Sequence, residues 1–124
     1  MINSDPVAHN FHVNAIRGDA FNPLIAANDQ QGVKHEFKKA DVLPVPVTCD
    51  IHPWMKANLL VLDHPYGTAS HEKGEFEIAD IPPGKYDFKV WQESVGYVRG
   101  LDVEDVEIEA GKTIDLGKLE VQLK

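Results

Sequence analysis

In LDVEDVEIEA, residues 101–110, hydrophobic side chains mostly take turns with acidic ones. A period of two puts one row of side chains on a buried face and the other in water. The same texture recurs in HNFHVNAI (9–16), VKHEFKK (33–39), VLPVPVTC (42–49), ANLLVLD (57–63), GEFEIAD (74–80), KYDFKVWQE (85–93) and KTIDLGKLEVQL (112–123), and no stretch sustains a helical period. Between these runs lie AANDQQG (26–32), HEKG (71–74), IPPG (81–84) and EAGK (109–112), all rich in residues that set or permit turn dihedrals. The chain is therefore expected to be all-β, an antiparallel sandwich with one wet face on each sheet. Pro44 and Pro46 each remove a ladder donor, which predicts an edge position for the 42–49 run.

A length of 124 residues with 43% hydrophobic content suits one compact domain with a modest core, in one piece or as two intimate halves. No apolar run approaches the ~20 residues that span a bilayer, and MINSDPVAHN lacks the basic and apolar regions of an export signal. The net charge of -8 is uneven: residues 1–62 carry 5 basic and 6 acidic side chains (-1), and residues 63–124 carry 7 and 14 (-7). That balance argues against nucleic acid and anionic membrane as partners. One cysteine permits no intrachain disulfide, so the thiol is either inert and buried or chemically employed.

That cysteine opens CDIHPWM, residues 49–55, with His52 and Met55 at intervals of three. A thiolate, an imidazole and a thioether suit copper that alternates between two oxidation states; zinc would recruit more Cys or His, and calcium or magnesium would want oxygen. A blue-copper arrangement also needs a second imidazole, which HNFH offers as His9 or His12. In an extended segment those two point to opposite faces and do not share a metal without a bulge. His64, after the run that leaves the CDIHPWM segment, is a further candidate ligand. His35 and His71 sit in polar contexts and read as exposed. Trp54 either shields a metal from water or presents a surface to a redox partner, or else packs between sheets.

CDIHPWM resembles the ligand loop of the cupredoxins, in the short Cys-x-x-His-x-x-Met form of amicyanin-like members, and NSDPVAHN resembles the strand that brings their first histidine. The resemblance implies His9, Cys49, His52 and Met55 as metal ligands, with His12 and His64 as lesser candidates, in a Greek-key cupredoxin-like sandwich. GEFEIADIPPGKYDFKVWQE (74–93) resembles the carboxypeptidase-regulatory or transthyretin-like β-module, so the chain divides into a copper-binding part, 1–66, and a transthyretin-like part, 67–124, packed as one unit. Only eight residues precede His9, where family members have several strands. That points to a piece of a longer protein, to a second sheet supplied by the C-terminal half, or to strands exchanged in a homodimer.

The function implied is that of a type 1 copper protein carrying single electrons between redox partner proteins, in the periplasm or outside the cell. Alternatives are a Cu(I)-handling module and a structural β-domain of a larger extracytoplasmic protein. Enzymatic use of Cys49 as a nucleophile is not expected, because nothing marks an oxyanion hole or an orienting third group.

Overall fold

The computed structural model describes residues 1–122, and within them every paired strand is antiparallel and no helix forms. None of the described residues belongs to a helix long and apolar enough to cross a membrane. The chain forms two compact units, Met1–Pro65 and Tyr66–Lys124.

The first unit is built on four adjacent ribbons. Strands β1 (His9–Asn10) and β2 (His12–Val13) lie in sequence on one extended stretch. On one side this stretch pairs with β3 (Leu24–Ile25) through His9↔Ile25 and Asn10↔Leu24. That pairing continues through the Phe11 N–H to Pro23 O bond (3.1 Å) and the Val13↔Phe21 bridge. On its other side β2 pairs with β4 (Val45–Thr48), which pairs in turn with β5 (Lys56–Leu59).

The period of two sorts side chains onto faces. Val13 is buried and Phe11 packs beside it; Val45 and Val47 are buried on β4, and Phe21, Phe37 and Leu59 close the cluster. Each buried Val contributes at most about 1.5–3 kcal/mol of hydrophobic stabilisation. His9 has the parity of Phe11 and Val13, and Cys49 the parity of Val45 and Val47, so the core pattern aims both toward the interior. Asn10, His12, Asn14, Thr48 and Asp50 occupy the opposite parity, where Asn14 Nδ2 donates to Thr48 Oγ1 (3.3 Å).

The edge position expected for 42–49 is corrected: β4 is the central strand of β2-β4-β5. Pro46 is tolerated because its N faces the end of the two-residue β2. Its carbonyl still accepts the Asn14 N–H (2.9 Å), and only the reciprocal bond is lost. VKHEFKK also forms no strand, although Val33, His35 and Phe37 alternate inward. Alternation specifies an extended face, whereas a strand needs a partner's backbone.

His35 is not the exposed side chain its polar neighbours suggest. It stacks on Phe21 (3.8 Å between centroids) and meets the edge of Phe37, and its Nε2 is buried. His71 is exposed. Asn3, 5% exposed, ties the N-terminal segment down by donating to Val7 O (2.8 Å) and Ala26 O (2.9 Å).

In the second unit β6 (Gly84–Phe88) pairs with β9 (Val103–Ile108), and β7 (Trp91–Gln92) pairs with β8 (Gly96–Tyr97). Tyr86↔Val106 and Phe88↔Val103 bracket a bulge, so β9 spends one extra residue there. Asp105 sits in that bulge at φ 56, its N–H donating to Asp87 Oδ1 (2.9 Å). GEFEIAD and the described part of KTIDLGKLEVQL form no strand, and residue 123 lies outside the described residues. HEKG closes a turn through Gly74 N–H to His71 O, and EAGK through Lys112 N–H to Glu109 O. Half-buried Tyr86, Phe88, Val103, Val106 and Ile108 share one face; among the described residues of this unit none is fully buried.

Candidate metal centre

Residues 49–55 connect β4 to β5 in a closed loop. The Cys49 N–H donates to Met55 O (3.3 Å) and the Met55 N–H to His52 O (2.9 Å), so the ends of CDIHPWM meet and His52 is folded back over the thiol. Asn10 secures the start of this loop: its Oδ1 accepts the Asp50 N–H (2.7 Å) and its Nδ2 donates to Asp50 Oδ2 (2.8 Å) and Asn22 Oδ1 (2.7 Å). Asn22 Nδ2 adds a bond to Asp50 Oδ2 (3.1 Å).

The loop and β1 together bring three donor atoms to one place. Cys49 Sγ lies 3.8 Å from His9 Nδ1 and 3.6 Å from His52 Nδ1, and the two imidazole nitrogens are 3.0 Å apart. The three residues form a group whose ligand atoms lie within 4.8 Å of one another, with Cys49 buried and both histidines half-buried. A thiolate and two imidazoles at this separation can converge on one metal ion.

The surroundings of the thiol favour its ionised form. Burial pushes the Cys49 thiol up, but the Asn10 N–H, the His9 and His52 rings and the His52 N–H outweigh it and bring the value down to about 6. The thiol beside His9, and then the Asp5 carboxylate, raise the His9 imidazole above its ordinary value against the opposing effect of burial.

The remaining sequence candidates fall elsewhere in different ways. Met55 is 39% exposed and lines the same cleft as Asp5, His9 and Cys49. His12 faces away from the thiol, its Nδ1 2.9 Å from Asp50 Oδ1. That contact, followed by Asn22, holds the Asp50 carboxyl below its usual range. His64 is exposed and lies outside the three-residue group. Trp54 is 77% exposed beside His52, ring centroids 5.2 Å apart, so it does not pack between sheets.

Sequence reasoning passed over Asp5, Asn22 and Asp50. A usable signal existed: Asn10, Asn22 and Asp50 flank or interrupt strand-like runs where such residues are disfavoured unless their side chains have hydrogen-bonding work. Asp5 carries the weaker signal of a carboxylate four residues before His9.

Residues 57–116 match the family model described as polysaccharide lyase family 4, domain II, an fn3-like β domain. The matched span begins on β5 and runs into the second unit as far as residue 116, and it agrees with an all-β sandwich architecture. No curated protein and no solved structure matches the chain.

Proposed function

We propose that the first unit is a cupredoxin-like Greek-key domain that binds one copper ion and transfers single electrons between redox partner proteins. The observation that carries this reading is the convergence of the Cys49 sulfur and the His9 and His52 Nδ1 atoms within 4.8 Å. The donor set fits copper: the Cys49 thiolate and the His9 and His52 imidazoles would hold the ion, and Met55, which lines the same cleft, would offer a weak thioether donor. A bound copper ion would supply a one-electron couple whose two states tolerate similar geometry.

The chain's own residues do the rest. Cys49, with its lowered pKa, offers sulfur as thiolate without a general base. The Asn10 N–H directed at that sulfur draws off electron density and tunes the potential. Asn10 and Asp50 hold the loop so that His52 and Met55 keep their places through a change of charge. Trp54, exposed at His52, gives a partner protein an apolar landing point close to the metal. The cupredoxin resemblance implies that this activity belongs in the periplasm or outside the cell.

The test is a Cu(II) titration of metal-free protein followed by visible absorption and electron paramagnetic resonance, with Cys49→Ser alongside. An intense visible band and narrow copper hyperfine splitting, both lost in the variant, are expected. Weak ordinary Cu(II) spectra unchanged by the substitution would sink the proposal. Bound copper lost on each reduction and reoxidation would favour a Cu(I)-handling module, and no useful copper affinity would favour a structural β-domain.

A further inference from the structure

His9 has two ring nitrogens with different neighbours. Nδ1 faces Cys49 and His52, and Nε2 lies 2.9 Å from Asp5 Oδ2. The His9 side chain is 14% exposed, so few other acceptors reach its Nε2, while Asp5 stands at the rim at 62%. We infer that Asp5 is a positioning residue that keeps the His9 proton on Nε2 and so leaves Nδ1 as a lone pair aimed at the metal position; this rests on the copper reading above.

Asp5 is placed for that task by the backbone rather than by chance. Its N–H donates to Asn3 Oδ1 (2.9 Å), and its carbonyl accepts the Asn28 N–H (2.9 Å). Asn3 itself is buried and bonded to Ala26 O, while His9 pairs with Ile25. Asp5 and His9 are thus both fixed to the 25–28 ribbon, and their separation does not depend on the exposed carboxylate finding the ring unaided.

The second ring contact agrees. His9 Nδ1 and His52 Nδ1 at 3.0 Å need one proton between them. With the His9 proton held on Nε2 by a carboxylate, His52 is the donor and His9 the acceptor. His9 is then ready for a metal, and only His52 must move its proton. A histidine ligand whose other nitrogen donates to a carboxylate is also more basic and more sharply oriented.

Imidazole nitrogen-15 correlation spectra of the metal-free, reduced full chain, recorded where His9 is neutral, decide the point without copper. The wild type is expected to carry the His9 proton on Nε2, and Asp5→Ala to give a mixture of tautomers. Cu(II) affinity should fall about 10- to 100-fold in Asp5→Ala and less in Asp5→Asn, which keeps an acceptor oxygen. The exposed Asp5 side chain and its retained N–H bond to Asn3 leave the fold intact in both variants. A wild-type proton on Nδ1, or a tautomer population indifferent to Asp5→Ala, would overturn the inference. The expected tautomer shift in a chain that takes up no copper would remove the copper reading and leave the positioning of His9 standing.

Discussion

His9 and His52, forty-three residues apart in sequence, bring their Nδ1 atoms to 3.0 Å over the buried Cys49 sulfur. One comes from a strand paired with β3, and one from a loop closed on itself by the Met55 N–H to His52 O bond. Strand pairing and loop closure, both made by the chain's own backbone, place the two rings. Preorganisation of this kind removes the conformational cost of assembling ligands at the moment of binding.

The first prediction concerns protons. The folded Cys49 thiol titrates near 6, below its unfolded value of 9.0. Its contribution to stability is therefore complete above pH 9 and is lost as pH falls through about 6. His9 shifts the other way: its contribution is complete below 6.5 and is lost as pH rises through its raised folded value. The two slopes oppose each other above 6.5. Ultraviolet thiolate absorbance of metal-free protein against pH should show half-ionisation near 6, with Cys49→Ser as the blank. Half-ionisation near 9.0 would contradict the arrangement.

Asn10→Ala should loosen the whole loop. The substitution removes the acceptor of the Asp50 N–H and donors to Asp50 and Asn22, three bonds of 2.7–2.8 Å. At about 0.5–1.5 kcal/mol per bond, with water replacing part of each on this exposed face, a loss of roughly 1–3 kcal/mol follows. Urea unfolding would measure it, and faster amide exchange at Asp50 and Ile51 would locate it. Unchanged exchange there would mean that the loop is held by its own internal bonds alone.

How far the sequence led is clear from particular residues. Alternation announced the β class, because a period of two survives in Val13, Val45 and Val47 whatever the pairing. It did not announce partners: 33–39 and 74–80 alternate equally well and form no strand. Proline chemistry misled at Pro46, where strand length, invisible in the local sequence, decided what a missing donor costs. CDIHPWM puts a thiol and an imidazole on one short loop. That His9 meets them follows from parity and register together, and only parity can be read along a chain.

The bulge on β9 has a readable origin and a testable consequence. Val103 and Val106 are an odd number of residues apart, so a regular strand would put them on opposite faces. The extra residue at Asp105, in the left-handed region at φ 56, restores the phase and lets both face Phe88 and Tyr86. Asp105→Val should destabilise the second unit by about 1–2 kcal/mol, because a β-branched side chain is strained there, whereas Asp105→Gly should be tolerated far better. Thermal unfolding of the two variants side by side would show the order, and equal melting points would argue that the left-handed conformation is not needed.

Gly32 carries the last prediction. Its φ is +68, and a Cβ built on it would lie 2.0 Å from the Met1 carbonyl oxygen, closer than any side chain can stand to backbone. That approach exists because Met1 and Val33 exchange bonds: the Met1 amine donates to Val33 O (2.8 Å) and the Val33 N–H to Met1 O (2.9 Å). Gly32→Ala must push the first residues away. Since Asn3 and Asp5 follow within four residues, the disturbance should reach the Asp5–His9 contact, 2.9 Å in the native chain. The expected result is a loss of at least about 1–2 kcal/mol in unfolding free energy together with, on the copper reading, a weaker affinity for added Cu(II). Gly32→Ala with full stability and unaltered Cu(II) affinity would mean that the N-terminal segment is not what holds Asp5 in place.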